Sequence, residues 1–321
     1  MKLFEYEKWF FDVYTSDHAY FIIFISKIDV AGTTKLYLQM HGSNQQESGI
    51  YRRIFNWGTK LDPLEYGTDA ILSRQGKIGF SPDTISLSLT NRRDFSINLT
   101  YNMPYYSFSQ QREMHIQGRK KSSLSWKPVF PRARVNGSVD AGGDFIYHFE
   151  NETGYSDYVR STFLPFRIPV ESLYWGRLHA PETDLTYSVV RGSGGKKQWG
   201  KVYAWHKGQL FEFDVDKVEC MEYSHCKELK MYYPDRYSIV AKNSESNLEI
   251  TVYNHRKLII NDFIGDATYM RRLALQILRK VTKNPRGIKF IASADVKMHS
   301  PGSVFEYFNL PIIDEYNVFG C

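Results

Sequence analysis

Apolar and polar residues alternate with a period of two along most of the chain. FSINLTY at 95–101 places Phe95, Ile97, Leu99 and Tyr101 on one face, and ISLSLT at 85–90 does the same with Ile85, Leu87 and Leu89. Further strands are expected at VYAWH (202–206), LFEFDVD (210–216), SIVAK (238–242) and LEITVYN (248–254). Lys207-Gly208 separates two of these and predicts a two-residue hairpin turn. Many short strands at such intervals indicate an all-β protein, a sandwich or an antiparallel barrel.

One segment breaks the period. From 267 to 283, Met270, Leu273, Ala274, Ile277, Leu278 and Val281 recur at three-four spacing and predict one substantial helix packed on a core. Asp266 is placed to cap it and Asn284-Pro285 to end it. A break between halves is expected near FLPFRIPVE (163–171), where two prolines interrupt the pattern. This predicts two β domains, 1–165 and 166–321, the second carrying the helix.

Composition narrows the function classes. Of 321 residues, 42% are hydrophobic and 16% aromatic, with 23 Tyr and 21 Phe, which suits strands or a ring-lined cavity. The net charge of +6 is spread over scattered pairs rather than one stripe, so no nucleic-acid partner is expected. The opening MKLFEYEKWFF carries Glu5 and Glu7 where a signal peptide is basic and then apolar, and the longest apolar run, YFIIFI, is only strand length. A cytoplasmic protein with no integral membrane segment is the expectation. Cys220, Cys226 and Cys321 do not show zinc spacing and are read as reduced thiols. There is no Walker loop, H-E-x-x-H or G-x-S-x-G, and Gly192-Ser-Gly-Gly-Lys-Lys lies between strands rather than before a helix. No cofactor and no metal are expected, and oligomeric state is open.

FENETGYSDYVRS at 149–161 stands out. It gathers Glu150, Glu152, Asp157 and Arg160 around Tyr155 and Tyr158. It reads as a loop, either an inter-domain turn with solvated charges or the acid of an active site.

Three other segments accompany it: EKWFFDVYTSDHAYFIIF (7–24), WKPVFPRARVNGSVDAGG (126–143) and YWGRL (174–178). With GYSD at 154–157, in this order, they resemble the carotenoid hydratases (hydroxyneurosporene synthases), a family similar in scaffold to tocopherol cyclases and lipocalin-like Diels–Alderases. The resemblance covers roughly residues 7–178. It implies two consecutive lipocalin-like antiparallel barrels with an apolar pocket for isoprenoid or polyene substrates. It places the acid on Asp157, with Tyr155 two residues before it and the motif tryptophan on Trp126. The family's histidine before that tryptophan is absent, since Ser123, Leu124 and Ser125 stand there, and its H-N-W-G is replaced by Tyr158, Val159, Arg160 and Ser161.

The expected site is therefore Asp157, Tyr155 and Trp126 as catalytic residues, with Tyr174, Trp175, Glu152, Arg160 and Tyr158 contacting a hydrophobic small-molecule substrate. An acid facing an apolar cavity keeps its proton near neutral pH and can protonate an alkene, and aromatic faces stabilise the cation. Pairing of Asp157 with Arg160 would abolish that role; pairing of Arg160 with Glu150 or Glu152 would preserve it. Three function classes follow: a cofactor-free hydratase or cyclase driven by proton transfer, a pericyclase working by pocket shape, and a non-catalytic carrier of a hydrophobic molecule.

Overall fold

The computed structural model describes residues 4–15, 20–45, 51–67, 69–91, 95–103, 113–117, 122–141, 146–163, 168–192, 197–262, 286–301 and 303–319. The described residues are all-β. The helix expected at 267–283 lies outside them, as does Cys321. The chain divides into two units, Met1–Phe163 and Leu164–Cys321.

The first unit is a twelve-stranded antiparallel sheet in the order β4(Tyr51–Leu61), β3(Thr33–Gln45), β2(Tyr20–Val30), β1(Phe4–Tyr14), β12(Ile146–Ser161), β11(Ser123–Asp140), β9(Phe95–Asn102), β8(Thr84–Asn91), β7(Gly76–Phe80), β6(Ala70–Ser73), β5(Pro63–Tyr66). β10(Met114–Gln117) also pairs with β11. The sheet is barrel-like, because its inner face encloses one core: Ile23, Ile25, Leu36 and Leu38 pack in the same cluster as Ile71, Leu87, Ile97 and Leu99. Each such side chain withdrawn from water contributes about 1.5–3 kcal/mol. β2 explains the run YFIIFI. Phe21, Ile23 and Ile25 belong to this core, while Tyr20, Ile22 and Phe24 on the opposite face are also buried. A strand buried on both faces is apolar throughout.

β11 is irregular around its two prolines. Its register with β12 shifts between Pro128 and Phe130, and again between Phe130 and Ala133. It pairs with β10 over Ser123–Trp126 and with β9 over Arg134–Asp140, so 127–133 has no described ladder partner on that side. Proline donates nothing to a ladder and is placed at bulges or unpaired edges.

The second unit is a closed eight-stranded barrel: β13(Val170–Ala180), β14(Thr183–Gly192), β15(Gln198–His206), β16(Gln209–Cys226), β17(Met231–Lys242), β18(Asn247–Asp262), β19(Arg286–Ser300) and β20(Ser303–Val318), the last pairing back with β13. The hairpin at Lys207-Gly208 forms with both residues at positive φ, 51° and 80°, as a two-residue primed turn requires. Cys220 and Cys226 are free thiols on β16.

Inside this barrel the Tyr187 and Tyr237 hydroxyls both donate to Asp314 Oδ1, at 2.8 and 2.5 Å. The glycine of YWGRL makes room for them. Gly176 pairs across the sheet with both Tyr187 and Asp314, and a Cβ there would overlap the Tyr187 ring and hydroxyl. Gly176→Ala is expected to displace that ring and to destabilise the second unit by about 1–3 kcal/mol. A variant that melts with the wild type would contradict this contact.

Candidate active site

The segment expected to be a loop is strand β12, in the sheet interior between β1 and β11. Its Asn, Gly, Ser and Asp residues favour turns locally, but here each has a structural use. Gly154 lies so close to β11 and β1 that a Cβ would overlap the Val135 side chain and press on the Asp12 carbonyl at 2.8 Å. Tyr155 and Asp157, two residues apart, share a face.

On that face Asp157 is 5% exposed, Trp126 3% and Tyr155 fully buried. Trp126 Nε1 donates to Asp157 Oδ2 at 2.9 Å, and the Tyr155 hydroxyl donates to the same oxygen at 3.2 Å. Phe10, directly opposite Asp157 on β1, meets the Tyr155 ring edge-on at 6.0 Å. The three expected catalytic residues thus form one buried cluster. Trp126 reaches it because the β11–β12 register sets Trp126 opposite Val159 and Pro128 opposite Asp157.

Arg160 does not pair with Asp157, nor with Glu150 or Glu152. Its Nε and Nη2 both donate to Glu5 Oε1, at 2.7 and 2.5 Å. Tyr158 donates to Glu7. Tyr158 and Arg160 are therefore cross-strand partners of β1. Glu152 sits opposite Val135, about 17 Å along the strand from Asp157. Tyr174 lies in the core of the second barrel, its hydroxyl 3.3 Å from Cys220 Sγ. Trp175, its neighbour, points the other way, with Lys289 Nζ 4.5 Å over its ring. Burial first, then the Tyr316 hydroxyl and Cys220, raises the Tyr174 pKa.

A cavity of about 450 Å³ lies in the first unit. Trp9, Phe11, Ile71, Phe80 and Ile85 supply apolar walls. Lys127, Val129, Ser156, Asp157 and Tyr158 border it along β11 and β12. This is where the β11 bulge at Pro128 interrupts the ladder opposite Asp157 and Ser156, and bulges commonly re-aim side chains beside sites. Of the expected residues, Tyr158 faces this cavity beside Trp9, while Asp157 borders it from the next position on the strand, its side chain on the other face with Phe10 and Tyr155; Trp126, Tyr155, Tyr174, Trp175, Glu152 and Arg160 do not border it.

The sequence reading missed the charged group at the cavity wall. Lys27 Nζ bonds Glu7 Oε2 at 2.7 Å and Asp29 Oδ2 at 3.1 Å. Burial alone would lower the Lys27 pKa, but the bonds to Glu7 and Asp29 outweigh it and raise it. Glu5, Glu7 and Asp29 approach one another closely enough to hold a cation among the described residues, yet Lys27, Arg160 and Tyr158 already bond them. Only the lysine and aspartate closing an otherwise apolar β2 hint at this group in the sequence.

No protein-family model and no curated protein matches the sequence. Solved structures do match. CghA with Sch210972 aligns at 9% identity and TM-score 0.64, covering 98% of this chain and 88% of that one. An AttH-like protein from Nitrosomonas europaea aligns at 11% identity and TM-score 0.59, covering 99% and 93%. Kievitone hydratase from Nectria haematococca aligns at 9% identity and TM-score 0.57, covering 98% and 88%. At these identities the likeness is one of fold, and over nearly its whole length the chain has the all-β fold of these proteins.

Proposed function

We propose that the protein is a cofactor-independent hydratase or cyclase for a hydrophobic polyene, isoprenoid or polyketide-type substrate, with Asp157 as the proton donor. One observation carries the reading: a buried carboxyl held by two aromatic donors, on the face of β12 shared with Phe10 and Phe24, while its strand neighbours Ser156 and Tyr158 turn into the apolar cavity. Both donors occupy Oδ2, which directs the acidic proton to Oδ1. Transfer of that proton to an alkene carbon forms a C–H bond, breaks the π bond and leaves a carbocation. Nearby aromatic faces stabilise such a cation by about 1–2 kcal/mol each when desolvated. Water attacks and returns a proton to Asp157 in a hydration; an internal hydroxyl does the same in a cyclisation, and an internal alkene completes it by losing a proton from the ring cation. Trp126 and Tyr155 hold the carboxyl in position. The name and fold of kievitone hydratase support the first outcome.

The resemblance to lipocalin-like Diels–Alderases favours a second reading, in which pocket shape alone brings reacting carbons together. The test begins with mass spectrometry of material that co-purifies with the chain, to obtain the substrate. The pH dependence of turnover then separates the readings. Proton-initiated turnover is expected to fall as Asp157 ionises, whereas a flat profile from acid to neutral pH would favour the shape-driven reaction. A ligand recovered unchanged after long incubation would point to a carrier.

A further inference from the structure

Two hydroxyls in the cavity wall are not used by the chemistry above. The Tyr66 hydroxyl, from β5, and Ser156 Oγ, from β12, both belong to residues lining the cavity, and both atoms are buried without a hydrogen-bond partner. Buried polar atoms are nearly always satisfied, so two such hydroxyls in one cavity wall call for a partner from inside it. The charged groups beside them differ in this respect. Glu7 already accepts from Lys27 and Tyr158, and Lys27 is shared between Glu7 and Asp29. Both are thus already committed to one another and to Asp29 and Tyr158. Lys27 Nζ also lies 4.8 Å from the centre of the Tyr66 ring.

Tyr66 keeps its proton throughout the physiological range. Desolvation is the main cause, Lys27 opposes it, and Asp29 and Glu7 add to it, bringing the hydroxyl to about 12. It is therefore a standing donor. Of the remaining walls, Trp9, Phe11, Ile71, Phe80 and Ile85 offer apolar surface, and Lys127 borders the cavity from β11.

We infer that the cavity takes an oxygenated hydrocarbon, whose acceptor oxygen is held by the Tyr66 and Ser156 hydroxyls while its apolar body lies against Trp9, Phe11 and Phe80. The inference rests on the reading of this cavity as the substrate site, and it narrows the substrate to one carrying an acceptor oxygen rather than a bare polyene.

Equilibrium dialysis of the full chain against two probes of matched shape tests it: 2-acetylnaphthalene, which has an acceptor oxygen, and 2-isopropenylnaphthalene, in which a methylene replaces that oxygen. The ketone is expected to bind the wild type roughly tenfold more tightly, the scale of one or two net hydrogen bonds. Tyr66→Phe and Ser156→Ala are each expected to reduce that preference and the double variant to remove it, with hydrocarbon binding unchanged. Ile85→Trp, which fills the cavity, is expected to weaken both probes. Equal binding of the two probes by the wild type would overturn the inference, as would a preference that survives in the double variant or failure of both probes to bind. Binding is read without turnover, so loss of the ketone preference leaves the Asp157 chemistry standing, and failure of that chemistry leaves the oxygen-reading cavity standing.

Discussion

Asp157→Asn is expected to fold as the wild type does and to lose about 100-fold or more of its turnover, the usual scale for general acid–base catalysis. The amide is nearly isosteric with the carboxyl. Its oxygen can take the place of Oδ2 and accept from Trp126 and Tyr155 at the same positions. What the substitution removes is the transferable proton. Glu150→Gln and Glu152→Gln make the same charge change on the same strand, but Glu150 is exposed and Glu152 lies about 17 Å from the acid. Neither is expected to change turnover. Thermal stability and turnover measured on all three variants separate the roles. A purely structural aspartate would lower stability and leave turnover per folded molecule intact. Unchanged turnover in Asp157→Asn would sink the acid and leave the shape-driven or carrier reading ahead.

The second large effect concerns Asp314 in the other unit, and it is read in stability. Asp314 is fully buried, and desolvation raises its pKa to about 6 from 3.8 against the opposing hydrogen bonds of Tyr237 and Tyr187. Asp314 Oδ2 and Asn254 Oδ1 are both buried without a donor, while Asn254 Nδ2 is committed to the Pro234 carbonyl at 2.9 Å. A proton on Asp314 makes one carboxyl oxygen a hydroxyl and removes the charge from a fully buried group. The native state thus binds this proton more tightly than the unfolded chain. The resulting stability is fully present below about pH 3.8 and is lost as pH rises through about 6. The gap corresponds to about 3 kcal/mol. Asp314→Asn carries no charge to bury. It is expected to be more stable than the wild type at pH 7 and to lose the extra decline between pH 4 and pH 7. Denaturant unfolding of both proteins at each pH gives the difference, in which other titrating groups cancel. Identical pH slopes would show that Asp314 does not carry this proton.

The strands were legible because side chains alternate across a strand, so a period of two in Phe95, Ile97, Leu99 and Tyr101 reports a buried face wherever the strand ends up. The turn at Lys207-Gly208 was legible for an equally local reason, since only certain residues tolerate positive φ in succession. FENETGYSDYVRS misled because its residues favour turns in isolation, and the partners that make it a central strand, Glu5 and Glu7 on β1 and Trp126 on β11, lie 31 to 155 residues away.

Sequence by itself therefore determined what is local: strand faces, one hairpin turn, and the aromatic and carboxyl groups available for chemistry. Tertiary structure alone decided which strands became neighbours. It brought Trp126 onto Asp157, gave Arg160 to Glu5, set the bulge at Pro128 beside the cavity, and left Tyr66 and Ser156 facing it without partners. It also gathered Tyr187, Tyr237 and Asp314 from β14, β17 and β20 around the space left by Gly176. The physical reason is that the register between distant strands is chosen by burial of the whole sheet face at once, and a shift of one residue would turn every one of these side chains to the other side.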